Sequence, residues 1–381
     1  MRVLHCCLSC FYIDGYTYQE NMLVRQHVSA GHEVLVVASA ETFGEDKQVT
    51  YVAPGDYIGT DGARVVRLPY RRLLPHAVMT KLRMHPGVLG LIADFAPDVI
   101  MFHGACGWEL LTACKYVRQN PSVKLYVDSH EDFNNSARGP LSMALLYKSF
   151  YVPIIRAVKN HVSKFLYITY ETKRFCKDVY RLEDSELEFY PLGGVVLDDE
   201  AYAQKRQTKR AELAVLGEQT LFFQSGKFDE KKRLLESLSA FSKIRAEHAR
   251  FFIAGSFSDS IKLQAEALIA ADSRIHFLGW ANSDQLLDLL CATDVYVQPG
   301  SQSATLQMSI AARCVVIIDN VPSHQDIFRD NGFLVSDEQE LYEALASCAE
   351  YSEALGEMSQ RSFEFASQKL NYAVLAERLL K

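Results

Sequence analysis

Short apolar runs alternate with longer amphipathic stretches along nearly the whole chain. RVLHCCLSCF opens it as a strand. YQENMLVRQHVSA follows as a helix, with Leu23, Val24 and Val28 on one face and Gly31 as its stop. HEVLVVAS, DVIMFHG, KLYVDSH and FLYITY read as further strands separated by helical or loop segments. Near-continuous apolar strands of this kind, spaced by helices, predict a parallel sheet covered on both faces.

The pattern loosens after FYPLGG into the polar stretch DDEAYAQKRQTKRAEL, which reads as a crossover, and then restarts. LFFQSG, RFFIAG, RIHFLGW, DVYVQPG and CVVIIDN are strand-like and separated by helices such as SDQLLDLLCAT; a helical tail closes the chain. The expected fold class is therefore α/β: two Rossmann-like, doubly wound domains, residues 1–190 and 191–364, facing a cleft. Ligands of such domains bind at the carboxyl ends of the strands, so the loops there are where chemistry is sought.

Length agrees with two domains, since 381 residues exceed what one core usually serves. The composition, 49% hydrophobic and 23% charged, is that of a soluble protein. No apolar run reaches the roughly 18–20 residues of a membrane span. Nine scattered cysteines favour reduced thiols and a cytoplasmic setting. Cys6, Cys7 and Cys10 lie in a strand pattern and read as small buried hydrophobes rather than a metal corner. Residues 1–190 hold 21 Lys and Arg against 20 Asp and Glu, while the remaining 191 hold 19 against 27. Within the first half, 62–93 and 138–170 contain basic residues and no acid. No nucleic-acid motif accompanies this charge; a phosphate-bearing substrate or an anionic membrane surface fits it, as do basic faces balanced by acids elsewhere. In RRLLPHAVMTKLRM, Leu73, Leu74, Val78 and Met79 alternate with basic residues, as a membrane-facing segment would.

Two loops stand out chemically. In FFQSGKFDEKKRLLESLSAF, Gly226 and Lys227 end a strand and Lys232 opens a helix; two ammonium groups there suit a diphosphate, and Lys231, Lys232 and Arg233 also read as an ordinary solvated charge run. PGSQSATLQ, at 299–307, places small residues and hydroxyls at a strand-to-helix turn with no charge at all. Such a turn suits a ligand that brings its own charge, and it also reads as a plain tight turn with Ser as N-cap. The dinucleotide fingerprint G-x-G-x-x-G is absent after the first strand, which argues against a nicotinamide enzyme. Asp198-Asp199-Glu200 falls in the crossover and is not read as a metal site.

Taken in order, these segments resemble the retaining glycosyltransferases of family 4, which have the GT-B fold. The resemblance rests on GKFDEKKR leading to Ala240-Phe241, on DGYTYQENMLVRQHVSAGHEVLVVAS, and on FHG, VDSHED, YPLGGVVLD and DIFRDNGFLV. It implies a sugar transfer from a nucleoside diphosphate-sugar to a glycan or lipid-diphosphate-linked acceptor in bacterial surface polysaccharide synthesis, with no cofactor and no required metal. It also implies that the closing helix, 365–381, packs back on the first domain. Lys227 stands where the family has Arg, and Lys232 matches the family Lys; both would contact the diphosphate. Gly15, Gly226, Gly300, Ser301, Ser303, Ala304 and Thr305 would line the donor, Trp280 would flank the base, and His103 would line the sugar; Trp280 also suits packing at the domain edge, and His103 also reads as a satisfied strand-end histidine. Tyr16, His130 and Glu131 fall on the acceptor side. Gln307 occupies the family's second acidic position, and the first acid is missing. These departures keep two rivals open: a non-catalytic nucleotide-sugar-binding partner subunit, and a nucleotide-sugar epimerase of the same fold.

Overall fold

The structure is a computed structural model of the 381-residue chain and describes residues 1–44, 48–350 and 352–381. The chain divides into two compact units, Met1–Pro191 with Tyr372–Lys381, and Leu192–Asn371.

In the first unit the strands are β1 (Arg2–Cys7), β2 (Glu33–Ser39), a small antiparallel hairpin of β3 (Glu41–Phe43) and β4 (Val49–Tyr51), β5 (Gly55–Ile58), β6 (Arg64–Leu68), β7 (Val99–Phe102), β8 (Lys124–Ser129), β9 (Lys164–Tyr167) and β10 (Leu187–Phe189). Eight of them form one sheet in the order β10-β9-β8-β7-β1-β2-β6-β5, parallel throughout except for the edge strand β5. Strand order reverses between β1 and β7, so their carboxyl ends frame the crevice of a doubly wound sheet. β1, β2 and β7 are apolar and buried on both faces apart from the first residues of β1 and β2, as helices on each side require. The helix Tyr372–Arg378 belongs to this unit and lies on the helix Gln19–Ser29. Tyr190 donates to the carbonyl of Leu375 at 2.7 Å, and Arg378 pairs with Glu188.

The second unit repeats the plan with β11 (Leu221–Phe228), β12 (Arg250–Phe257), β13 (Ile275–Phe277), β14 (Val295–Gln298), β15 (Val315–Asp319) and β16 (Gly332–Val335). The order is β13-β12-β11-β14-β15-β16, all parallel, with the switch point between β11 and β14. Phe222, Phe241 and Phe251 meet in its core at ring-centroid distances of 5.2 to 6.4 Å. Such pairs add about 0.5–1.5 kcal/mol each beyond the area they bury.

The polar crossover is in fact the helix Asp199–Glu212. Asp198 caps it, accepting from the amide of Ala201 at 2.8 Å, and Asp199 pairs with Arg313 at 2.7 Å. This helix buries Arg210 rather than an apolar stripe, through an ion pair with Asp294 at 3.0 Å.

Candidate functional site

The turn PGSQSATLQ sits at the switch point of the second sheet, directly after β14. It is tied to the loop after β11 on three sides. Ser301 donates its amide to the carbonyl of Lys231 at 2.9 Å, Arg233 donates to Pro299 O at 2.9 Å, and Lys232 Nζ donates to the carbonyls of Ser301 and Gln302 at 2.8 Å each. Gly300 is required for this contact, because a Cβ there would overlap the carbonyl oxygen of Lys231. Arg233 takes a left-handed conformation, φ 52°, which its bond to Pro299 helps to hold.

The Lys232 ammonium is therefore committed to the loop backbone, and burial lowers its pKa. Lys227, the next-to-last residue of β11, has an exposed side chain. Gly226 has φ 153° and Gly255 beside it φ 149°; a Cβ on Gly255 would overlap Gly226 O.

Ser303 occupies the N-cap of the helix Ala304–Ala311, yet its hydroxyl makes no cap bond and donates instead to Gln298 Oε1 at 2.6 Å. The Tyr296 hydroxyl lies among those of Ser225, Ser303 and Thr305, 3.3 Å from Ser225 Oγ. Gln224, Gln298 and Gln307 are all buried, and each keeps one amide atom without a protein partner among the described residues: Gln224 Oε1, Gln298 Nε2 and Gln307 Oε1. Buried polar atoms are rarely left so, and a polar ligand or water satisfies them in most proteins.

In the first unit the carboxyl ends of β1, β7 and β8 carry the second cluster. His103 follows β7, and its ring is fully buried with both nitrogens engaged: Nδ1 lies 2.7 Å from Asp128 Oδ2 and Nε2 lies 3.0 Å from His5 Nδ1. Gly104, φ 89°, donates its amide to Asp128 Oδ1 at 2.6 Å, and a Cβ there would crowd Ser9. His130 Nε2 is 3.6 Å from Asp128 Oδ2, and its side chain is 34% exposed. Burial would lower the His130 pKa, but the Asp128 carboxylate raises it to about 9. Glu131 is buried and accepts from the Ser129 hydroxyl. Gly15, φ 79°, donates its amide to Thr60 Oγ1 at 2.9 Å, and a Cβ would meet nothing within 4 Å. Its glycine is thus demanded by the dihedral, not by crowding. Tyr16 beside it is 38% exposed, its carbonyl accepting from Arg25 at 3.1 Å.

Two family descriptions match the chain, "Glycosyl transferase 4-like domain" over residues 15–193 and "Glycosyl transferases group 1" over residues 218–350. The chain belongs to the glycosyltransferases of GT-B fold. Solved structures agree on the fold of this glycosyltransferase. Sucrose-phosphate synthase from Thermosynechococcus elongatus is 14% identical with a TM-score of 0.65, over 99% of this chain and 97% of its own. WaaG, described as a glycosyltransferase of lipopolysaccharide biosynthesis, is 16% identical with a TM-score of 0.61, over 99% and 98%. HepE from Anabaena, solved in complex with UDP, is 11% identical with a TM-score of 0.67, over 100% and 98%. No curated protein matches the sequence.

Within the glycosyltransferase, the expected donor residues Lys232, Gly300, Ser301, Ser303, Ala304, Thr305 and Gln307 lie on two loops joined by hydrogen bonds and the helix that follows, and Gly226 lies in the last part of β11. Trp280, three residues past β13, is 57% exposed and follows Gly279, whose carbonyl accepts from the amide of Gly255 beside Gly226 at 2.7 Å. His103 departs from its expected part, since a fully enclosed ring with both nitrogens bonded offers none to a sugar. Sequence reasoning missed His5, His27, Asp128, Gln224, Gln298 and Tyr296. The one signal for His5 was a histidine inside an apolar strand, a position costly to fill without a partner.

Proposed function

We propose that the protein is a retaining, metal-independent glycosyltransferase that moves a sugar from a nucleoside diphosphate donor to a glycan or lipid-diphosphate-linked acceptor in bacterial surface polysaccharide synthesis. The observation that carries this reading is the uncharged turn 299–303 fastened to the Lys231–Lys232 loop beside buried amide atoms that lack protein partners. A diphosphate placed at the start of helix Ala304–Ala311 meets backbone N–H groups and the positive end of the helix dipole. Lys227 supplies an exposed positive charge against the leaving diphosphate, while Lys232 acts by holding the turn in shape. Gln307 Oε1 accepts from a ribose hydroxyl, and Trp280 flanks the base. Stabilising the departing charge this way requires no metal, and the leaving phosphate oxygen can take the acceptor's proton, so no strong protein base is required. Gly15 approaches the donor diphosphate, and Tyr16, His130 and Glu131 serve the acceptor side.

HepE was solved with UDP and WaaG serves lipopolysaccharide biosynthesis, which supports the donor class and the pathway proposed. Contact with an anionic membrane is supported by Leu73, Leu74 and Val78, 67%, 52% and 42% exposed beside Arg71, Arg72 and Lys81, whereas Met79, expected with them, is buried in the core. Among the described residues no helix is long and apolar enough to cross a membrane.

The test is a panel of UDP-, GDP- and TDP-sugars in EDTA, followed for melting shift, slow donor hydrolysis and transfer to lipid-linked acceptors. One nucleotide class should stabilise the protein and its sugar should be turned over with its anomeric configuration kept. No shift with any nucleotide would sink the reading, and a shift without turnover would favour a binding subunit.

A further inference from the structure

An unbroken line of side chains runs through the first unit from Asp128 to the helix Tyr372–Arg378. His103 Nδ1 meets Asp128 Oδ2 at 2.7 Å, His103 Nε2 meets His5 Nδ1 at 3.0 Å, His5 Nε2 meets His27 Nδ1 at 3.0 Å, and His27 Nε2 meets the carbonyl of Ala376 at 3.0 Å. All three rings are buried to within 1%. His5 and His103 are stacked, 12° apart with centroids at 5.3 Å.

The proton count of this line is fixed by its ends. A carbonyl oxygen can only accept, so His27 Nε2 carries a proton; burial keeps His27 and His5 neutral, so His27 Nδ1 accepts from His5 Nε2. His5 Nδ1 must then accept from His103 Nε2. At the far end an ionised Asp128 can also only accept, and it already takes the amide of Gly104 at 2.6 Å. Four hydrogen bonds therefore need four protons, and three neutral imidazoles bring three. We infer that His5 and His27 are positioning residues, which lock His103 as an imidazolium against Asp128 and so fix the carboxylate that faces His130.

The charges around the line agree. Burial would lower the His103 pKa, but Asp128, with Cys7 and Glu20, raises it to about 10. Burial lowers His27 to about 4, with His32 and His103 adding to this against the Ala376 carbonyl. His5 is held well below its usual value by burial and by the two histidines on either side. Asp128 is held well below the carboxylate range against its burial by His103 and His130. The line passes through β1, β7, β8 and two helices, so its members hold those elements in register as well as fixing one proton.

The inference rests on the proposed function only for its catalytic consequence, and the experiment separates the two. Histidines of the full-length protein are labelled with ¹⁵N and titrated by NMR. His103 should show two protonated ring nitrogens through neutral pH to beyond pH 9, while His5 and His27 stay neutral. In His27→Leu the His103 proton should be lost at least tenfold more readily, a fall of one pKa unit or more. His27→Gln keeps an N–H for Ala376 and an oxygen for His5, so it should restore the wild-type titration. The pH profile of donor turnover should shift in His27→Leu and return in His27→Gln, with kcat altered more than KM. A neutral His103 in the wild-type protein at neutral pH, or a His27→Leu titration unchanged from wild type, would overturn the inference whatever the donor proves to be. Should His27→Leu fail to fold, the wild-type titration alone decides.

Discussion

At Gln307 a neutral amide stands where the resemblance leads one to expect an acid, and its Oε1 is buried with no partner among the described residues. An unmade bond to a buried acceptor costs free energy in the empty protein and is recovered when a hydroxyl arrives. A hydrogen bond of this kind is worth about 0.5–1.5 kcal/mol net. Replacing Gln307 with Ala should therefore weaken nucleoside diphosphate binding about two- to tenfold by calorimetry, with little change in melting temperature. Gln307→Glu should bind at least as well as wild type, because a charged acceptor makes the stronger bond, about 1.5–3 kcal/mol. Affinity unaltered by Gln307→Ala would remove this residue from the donor site. At the same scale His103 shows how a residue type can be read correctly as special and wrongly as accessible. Its neighbours Phe102 and Gly104 gave no sign that His5 and Asp128 would take both ring nitrogens.

The two loops at the switch point of the second sheet behave as one element. Lys232 Nζ, Arg233 and the amide of Ser301 all cross between them, and Gly300 lets the backbones touch. Gly300→Ala should push the loops apart at a cost of about 1–3 kcal/mol, the usual range for an overpacked site. Nucleotide affinity should fall at least tenfold, and Lys232→Ala should do the same by freeing the turn. If both act through the same contact, the double variant should lose little more than either single one. Additive losses would mean that Lys232 touches the ligand directly. Elements with strong apolar runs, such as β11, β12 and β15, were legible in the sequence because both of their faces are buried. β5 was not, since all four of its residues are exposed. The helix Asp199–Glu212 was not either, because ion pairs of Arg206 and Arg210 with Asp294 hold it in place of an apolar stripe. Of the candidate site, the glycine and lysine loops were legible because they are local in sequence. The histidine line was not, because β1, helix Gln19–Ser29 and β7 bring residues 5, 27 and 103 together only in three dimensions.

Over the whole molecule, His5, His27 and His85 act on stability in the opposite direction to His103 and His130. His27 and His85 are lowered to about 4, mainly by burial, and burial also holds His5 well below its usual value. Their folded pKa lies below the unfolded value near 6.5, so the stability they contribute is present above pH 6.5 and is lost as pH falls towards 4. His103 and His130 are raised, to about 10 and about 9, by Asp128 acting against burial. Their contribution is present below pH 6.5 and is lost as pH rises through 9 and 10. Asp128, held low by His103 and His130 against its burial, loses its contribution only as pH falls below the unfolded value near 3.8. Melting temperature should accordingly peak near pH 6.5 and decline on both sides. One pKa unit is worth about 1.4 kcal/mol, and about 1 kcal/mol moves the melting point of a unit of this size by roughly 2–4 °C. Differential scanning calorimetry from pH 4 to pH 10 at constant ionic strength would show the two flanks. His103→Gln should reduce the alkaline flank to the part carried by His130 and leave the acid one. A wild-type melting temperature that stays level from pH 6.5 to pH 10 would mean that His103 carries no excess proton, and that the line of hydrogen bonds ends before Asp128.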